Sequence, residues 1–135
     1  MITRVASAVA GISAVTAIVA IPPTAQAEPI GSRASAATSC YAVADVPWYR
    51  SPSVYATGHI YCDPWADAEI VVKITANGAT KGTTSAAYAA PDISDTAVAQ
   101  NWSGNQTWCT VVSGTYYVNG GAYDVHDKSC ETAGF

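Results

Sequence analysis

Catalytic side chains are scarce in this sequence. It contains only two histidines, His59 and His126, and charged residues make up 12% of the chain. A hydrolase needs a nucleophile with its base, a pair of carboxylates or a bound metal, and each would have to come from this short supply. We therefore expect a protein that is not an enzyme, with no catalytic residue, no metal and no cofactor.

Positive charge is scarce as well. Six Lys and Arg residues stand against ten Asp and Glu residues, and the formal net charge is −4. Nucleic acids and anionic lipid surfaces are bound by clusters of basic side chains, and the sequence has no such cluster. Nucleic acid and membrane surfaces are therefore poor candidates for the partner.

The only long apolar run, over 5–21, is too short for a membrane-spanning helix, which needs roughly 20 residues. Arg4 precedes the run, and Pro22-Pro23 and the small-x-small site Ala25-Gln26-Ala27 follow it, which is the arrangement of a secretory signal peptide. We expect residues 1–27 to be removed by cleavage before Glu28. The product is then a secreted, extracellular protein that keeps no membrane segment.

The mature part begins with a segment that has little to bury. Residues 28–39 are small and polar, with one isolated isoleucine at Ile30, and cannot offset the entropy lost on ordering. We predict a flexible N-terminal tail over 28–39. The remaining length suits one hydrophobic core but not two, so we predict a single domain over 40–135.

The four cysteines all lie in this domain, at Cys40, Cys62, Cys109 and Cys130. An even number of cysteines in an exported chain of this size indicates disulfides, and three pairings are possible. We favour Cys40 with Cys62 and Cys109 with Cys130, because each pair joins neighbouring strands across a local loop. A zinc site is the alternative, but the sequence lacks a Cys-x-x-Cys pair.

The apolar pattern of the domain has the period of β-strands, and none of it keeps a helical period for three turns. Over 69–75, Ile70, Val72 and Ile74 share one face, which predicts a strand in the middle of a sheet. Over 54–62 the alternation separates two faces. Val54, Ala56, Gly58, Ile60 and Cys62 are predicted to point inward, and Tyr55, Thr57, His59 and Tyr61 outward.

Turn signals divide the rest of the domain into short strands. Asn77-Gly78 predicts a tight turn into an edge-like strand over 80–89, and 91–100 is predicted to be a loop that crosses between sheets. Strands are predicted over 106–112, 115–118 and 122–126, with a turn at 119–121. The fold expected is an all-β, small two-sheet β-sandwich of about six to seven short antiparallel strands with two disulfides, and a small barrel is the alternative.

Two polar segments allow other interpretations. His126 lies between Asp124 and Asp127, which could orient it for catalysis or metal binding, and the alternative is a polar strand end near a hairpin. The acidic segment over 63–69 could be a calcium loop or the acid and base of a glycosidase. Its spacing matches no calcium motif, and we interpret it as a solvated turn that leads into the central strand.

Aromatic residues suited to partial exposure dominate, with four Trp and eight Tyr against one Phe. The densest group, over 46–52, contains Trp48, Tyr49 and Arg50 between two prolines. Trp, Tyr and Arg are the types most enriched at interface hot spots, and the prolines would reduce the entropy lost on binding. The alternative is that Trp48 fills the core and Arg50 covers it.

The segment over 39–74 resembles the tendamistat-type α-amylase inhibitors, small secreted two-disulfide β-sandwich proteins of Streptomyces. The matching residues are Ser39-Cys40, Trp48-Tyr49-Arg50-Ser51, Cys62 and the alternating strand over 68–74. In that family an exposed Trp-Arg-Tyr triplet blocks the amylase active site, so the resemblance implies an inhibitory contact at 48–50. The order here is Trp-Tyr-Arg, which changes which side chains share a face of the strand.

These observations predict a non-catalytic secreted domain that binds another extracellular protein, most concretely as an inhibitor of an extracellular hydrolase such as a glycoside hydrolase. One alternative is an adaptor or structural subunit of a secreted multiprotein complex, such as a toxin, that docks through the tail over 28–39. The other is a carbohydrate-binding module for which polysaccharide is the ligand. The predicted partner-binding residues are Trp48, Tyr49, Arg50, Tyr55, His59 and Tyr61.

Overall fold

A computed structural model of the chain describes residues 37–135. The predicted signal peptide, 1–27, and residues 28–36 of the predicted tail lie outside the described residues. Ser39, the last residue of the predicted tail, belongs to the first strand. The first strand therefore begins one residue before the predicted domain boundary at Cys40.

Six antiparallel strands make up the described part of the chain, which has no helix. Residues 37–135 accordingly offer no helix with the length and apolar character needed to cross a bilayer. The all-β class with two disulfides is confirmed. The strands are β1 (Ser39–Ala44), β2 (Trp48–Arg50), β3 (Ser53–Ala76), β4 (Ala79–Gln100), β5 (Gln106–Val118) and β6 (Gly121–Ala133).

The six strands form one antiparallel sheet that folds over into two layers, where the sequence predicted two sheets. β3 and β4 pair along most of their length, but their register shifts between Tyr61 and Ala66, where residues 62–65 of β3 lie opposite Pro91. Extra residues on one strand bend a sheet at that point. We call 53–61 of β3, 92–100 of β4, β1 and β2 the first layer; the second layer contains 66–76 of β3, 79–90 of β4, β5 and β6.

The core lies between these layers and is built by period-two alternation. The first layer buries Val54, Ala56 and Ile60, and the second layer buries Ile70, Val72 and Ile74, as the alternation predicts. Trp108 is the largest fully buried side chain. The layers approach each other closely at Gly58. A β-carbon at this position would collide with side-chain methyls of Val112 and Val72.

Both predicted turn sequences form two-residue hairpin turns. Asn77 and Gly78 join β3 to β4 with φ angles of 49° and 83°, and Asn119 and Gly120 join β5 to β6 with φ angles of 51° and 77°. Positive φ at both central positions matches the right-handed twist of the flanking strands, and Asn-Gly adopts it at little cost.

The favoured disulfide pairing is confirmed. Cys40 is bonded to Cys62 and Cys109 to Cys130, and in each case the two residues lie directly opposite one another on paired strands. All four cysteines are therefore paired, and none is free. Two disulfides in a small domain are typical of extracellular proteins.

The predicted loop over 91–100 is wrong, because 79–100 is one continuous strand. Ile93, Ala97 and Ala99 are buried in alternation, but alanine is too weakly apolar to make this period visible in the sequence. Both aspartates of this segment have side-chain partners in the fold. Asp92 lies beside His59, and Asp95 accepts a hydrogen bond from Thr84.

The strands predicted over 106–112 and 115–118 are one strand, and the last strand runs to Ala133, not to about His126. The prediction left Ser113 and Gly114 between the two strands. In the structure Gly114 lies within the strand, where a β-carbon would collide with the Ile60 side chain and the Glu69 carbonyl. The strands are also longer than predicted, with 24 residues in β3 and 22 in β4.

Candidate protein-binding face

The outward surface of the first layer carries a group of rings. The 53–61 segment of β3 directs Tyr55, His59 and Tyr61 outward, and the neighbouring strands place Trp48 beside Tyr55 and Tyr41 beside Tyr61. We call these five side chains the aromatic face. They lie together because cross-strand neighbours on one side of a sheet have β-carbons only about 5 Å apart.

Trp48 and Tyr55 form one end of the aromatic face. Their rings are stacked, with centroids 4.3 Å apart and planes 11° apart, and Trp48 remains 43% exposed. This exposure shows that the alternative in which Trp48 fills the core is wrong. Trp108 occupies the core instead. Arg50, two residues along β2 and opposite Ser53, is also exposed and shares the outward side with Trp48 by strand alternation.

Three further rings form the other end. The Tyr61 ring contacts Tyr41 at 5.5 Å between centroids and stacks on His59 at 5.3 Å. Tyr41 is 61% exposed. The disulfide between Cys40 and Cys62 lies one residue away on each strand, so it fixes the strand pair that carries this contact.

His59 lies between two carboxylates. Its Nδ1 lies 3.1 Å from Asp92 Oδ1, and its Nε2 lies 3.4 Å from Asp45 Oδ2. A neutral imidazole donates from only one ring nitrogen, whereas the imidazolium donates from both. Contacts to both ring nitrogens hold the His59 ring in the orientation that stacks on Tyr61. The two carboxylates also add negative charge to the face.

The carboxylates of Asp45 and Asp92 also affect the pKa of the neighbouring Tyr61 hydroxyl. Desolvation raises the pKa of Tyr61 above its ordinary value, and the negative charges of Asp92 and Asp45 raise it further. Both causes disfavour the charged phenolate. The fold therefore favours the protonated hydroxyl of Tyr61, which can both donate and accept hydrogen bonds.

Tyr49 does not join the aromatic face. In the register of β2 it lies opposite the inward-facing Val54, and its ring stacks on Phe135 with centroids 5.3 Å apart. The side chains of Trp48 and Arg50 alternate to the other side. The order Trp-Tyr-Arg therefore divides the predicted triplet between two surfaces, and only Trp48 and Arg50 share one.

Tyr41, Asp45 and Asp92 were not predicted as part of the site. Tyr41 could have been found from the favoured disulfide, because antiparallel pairing of Cys40 with Cys62 puts Tyr41 opposite Tyr61. Asp92 could not have been found, since it is 33 residues from His59 and lies in the segment predicted as a loop.

The aromatic face has the composition of a binding surface. Trp and Tyr are enriched at interface hot spots because they bury a large area at a low entropy cost. No protein-family model and no curated protein matches this sequence. The chemistry on offer is ring stacking, hydrogen bonding by Tyr hydroxyls and contacts from Arg50, Asp45 and Asp92.

Strand alternation places Asp127 on the opposite side of β6 from His126, whereas Asp124 shares a side with His126. Asp124 accepts a hydrogen bond from the Thr115 hydroxyl at 2.8 Å, and Asp127 accepts one from the Ala44 backbone amide at 2.8 Å. Neither carboxylate orients the His126 ring in the described structure. Within residues 37–135, no three His, Cys, Asp or Glu side chains are grouped so that they could hold a metal ion.

The acidic segment over 63–69 does not form a calcium-binding loop, because it lies within the continuous strand β3. Asp63, Pro64 and Trp65 form the exposed bend between the layers, and Trp65 is 63% exposed. Asp67 and Glu69 follow on β3 and point outward from the second layer. The segment is a bend within one strand that leads into the central part of the sheet.

Proposed function

We propose that this chain is a non-catalytic, secreted protein-binding domain that docks on another extracellular protein through the aromatic face. The observation that carries the proposal is the pairing of the rings. Trp48 and Tyr41 remain 43% and 61% exposed, yet each contacts a second ring on β3. The exposed apolar surface of these two side chains is thus already held in one orientation before a partner binds.

Pre-ordering matters because binding costs conformational entropy. Each side chain that is immobilised at an interface costs about 0.5 to 1.5 kcal/mol. Rings that already stack on a neighbour within a disulfide-linked sheet have lost part of that freedom before binding. The aromatic face therefore supports affinity in the same way as a rigid paratope rich in Tyr and Trp.

Secretion is part of the proposal. It is supported by the signal-peptide pattern in the sequence and by two disulfides, which persist in oxidising compartments. The partner is accordingly sought among extracellular proteins.

The most concrete form of the function is inhibition of an extracellular hydrolase such as a glycoside hydrolase. The resemblance over 39–74 to tendamistat-type inhibitors supports this form. Because Tyr49 faces away, we assign the inhibitory contact to Trp48 and Arg50 with Tyr55 behind them. Assays of α-amylase and other secreted glycoside hydrolases with micromolar purified protein test it, and absence of inhibition removes this form.

The general proposal is tested by capture of partners from culture fluids of the producer and its competitors. We expect one secreted protein to be captured, and Trp48→Ala to weaken its binding by at least about 30-fold, the effect of a hot spot worth about 2 kcal/mol. Trp65→Ala is the matched control, because Trp65 is also an exposed tryptophan but lies at the bend. Equal effects of the two substitutions would contradict the proposal.

The same experiment separates the alternatives. Exposed Trp and Tyr rings also suit stacking on sugar rings, so retention on a polysaccharide matrix that Trp48→Ala abolishes would replace the protein partner with a carbohydrate. An adaptor that docks through its tail would lose its partners when the chain starts at Ser39 and would keep them in Trp48→Ala.

A further inference from the structure

The outward surface of the second layer, on the opposite side of the molecule from the aromatic face, has a regular arrangement of charge. β3 carries Asp67, Glu69 and Lys73 there, and β6 carries Asp124 and Lys128. All five side chains are exposed, and Asp67 extends the acidic end beyond Glu69. Lys73 follows Glu69 by four residues, and Lys128 follows Asp124 by four residues.

The strand register aligns these charges in rows. Glu69 lies opposite Thr115, which lies opposite Asp124, so the two carboxylates share one cross-strand row. Lys73 and Lys128 share a second row, since both lie opposite Val111. The face is therefore acidic at one end and basic at the other.

The row between them has no acidic or lysine side chain. It consists of Ser85, Val71, Ser113 and His126, which lie opposite one another on β4, β3, β5 and β6. Val71 is half-buried and lies near the middle of the row. The serines on either side of Val71, Ser85 and Ser113, have short side chains, so another flat surface can approach Val71 closely.

The opposite charges cannot neutralise each other within one chain. Four residues along a strand span roughly 13 Å, far beyond ion-pair distance. Among residues 37–135 the only ion pairs are those of His59, so Glu69, Lys73, Asp124 and Lys128 have no charged partner there. A partner for this face must offer the reverse order of charge at the same spacing.

We propose that the partner is a second copy of this chain, packed face to face about a two-fold axis that follows the row of Val71. Such an axis reverses the strand direction of the second copy and keeps β3 over β3 and β6 over β6. Glu69 then lies over Lys73 of the other copy, and Asp124 over its Lys128. The symmetry generates each pair twice, and Val71 meets its own copy at the axis.

The expected dimer is weak and polar. Exposed ion pairs contribute little individually, because water and salt screen them, and the apolar area at the centre is small. Packed sheets rotate by about 30° relative to one another, and the flexible lysine side chains can follow that rotation. The aromatic faces of the two copies remain exposed on opposite sides, which makes the dimer bivalent toward the proposed partner.

Charge reversal in analytical ultracentrifugation tests the dimer, with the oxidised protein from culture fluid at micromolar to millimolar concentrations and pH 8. We expect concentration-dependent dimerisation of the wild type and an increase of at least about tenfold in the dissociation constant for Glu69→Lys and for Lys73→Glu separately. An equimolar mixture of the two variants should dimerise again. In that mixed dimer each of the two contacts between positions 69 and 73 regains one positive and one negative side chain.

The net charge separates this proposal from non-specific repulsion. Glu69→Lys makes the acidic chain less negative, so repulsion between copies alone would make its dimer tighter, whereas the proposal requires it to be weaker. Asp63→Lys is the matched control with the same change in charge outside the face, and it should not weaken the dimer. A wild type that stays monomeric, or variants whose mixture does not recover, would overturn the proposal.

Discussion

The rings of Trp48 and Tyr55 lie parallel, with centroids 4.3 Å apart, while the side chain of Trp48 stays 43% exposed. A stacked pair at the surface differs from a buried tryptophan in what it contributes. It stabilises the fold through its buried part, with about 0.5 to 1.5 kcal/mol added by the aromatic contact, and it leaves its exposed part for a partner. The chain separates these two roles between Trp48 and Trp108.

The two tryptophans should therefore differ in their effect on stability. We expect Trp48→Ala to lower the free energy of unfolding by about 1 to 2 kcal/mol, from loss of the stacking contact and of the buried part of the ring. Trp108→Ala should lower it by about 3 to 5 kcal/mol, because it leaves a large cavity in the core. Urea unfolding monitored by circular dichroism measures both values, and similar losses would contradict the assignment of Trp48 to the surface.

Gly58 should be intolerant of any side chain. A β-carbon at this position would collide with Val112 and Val72 across the core, so Gly58→Ala should destabilise the fold by about 1 to 3 kcal/mol. Val112→Ala removes part of the obstruction. In a double-mutant cycle, Gly58→Ala should cost less in the Val112→Ala background than in the wild type. Additive losses would show that the two layers do not meet at this point.

Asp127 joins the two layers at the side where β1 and β6 are neighbours. Its carboxylate accepts a hydrogen bond from the Ala44 amide at 2.8 Å. Loss of this charge-assisted bond in Asp127→Ala should cost about 1.5 to 3 kcal/mol and expose the Ala44 amide to faster hydrogen exchange. Asp124→Ala is the control, because the Asp124 carboxylate bonds only an exposed threonine hydroxyl and should leave the Ala44 amide protected.

Stability at alkaline pH should depend on Tyr61. The fold favours the protonated phenol, because desolvation first, and then Asp92 and Asp45, raise the pKa of Tyr61 above the ordinary 10.0. The resulting stability is fully present below the unfolded pKa and is lost as the pH rises through the folded pKa. The unfolding free energy of the wild type should therefore fall more between about pH 9 and pH 11 than that of Tyr61→Phe. Parallel curves for the two proteins would contradict the shift.

Each disulfide should stabilise the domain to a similar extent. The bonded cysteines are 22 and 21 residues apart in sequence. Loops of this length correspond to about 3 kcal/mol each in the chain-entropy account. Replacement of either pair by serines, followed by thermal unfolding, should give comparable losses. A loss confined to one pair would show that strand pairing already holds the other loop closed in the unfolded ensemble.

Much of the architecture could be predicted from local pattern. The alternation over 54–62 and 69–74 identified the correct inward and outward residues, because a strand fixes the direction of each side chain by its position alone. The Asn-Gly turns were likewise found, since positive φ is a property of those two residues. Where alanine replaces larger apolar residues, as over 91–100, the same pattern was too weak to detect.

Local pattern in the chain thus accounts for the strand faces, the turns and the composition of the candidate surface, whereas the closed fold sets which of those residues meet. Strand register places Tyr41 against Tyr61 and Asp92 against His59. The alternation of β2 turns Tyr49 to the side of the sheet where its ring stacks on Phe135. Most of these contacts join residues far apart along the chain. Their positions follow from how the bent sheet closes, which no local pattern encodes.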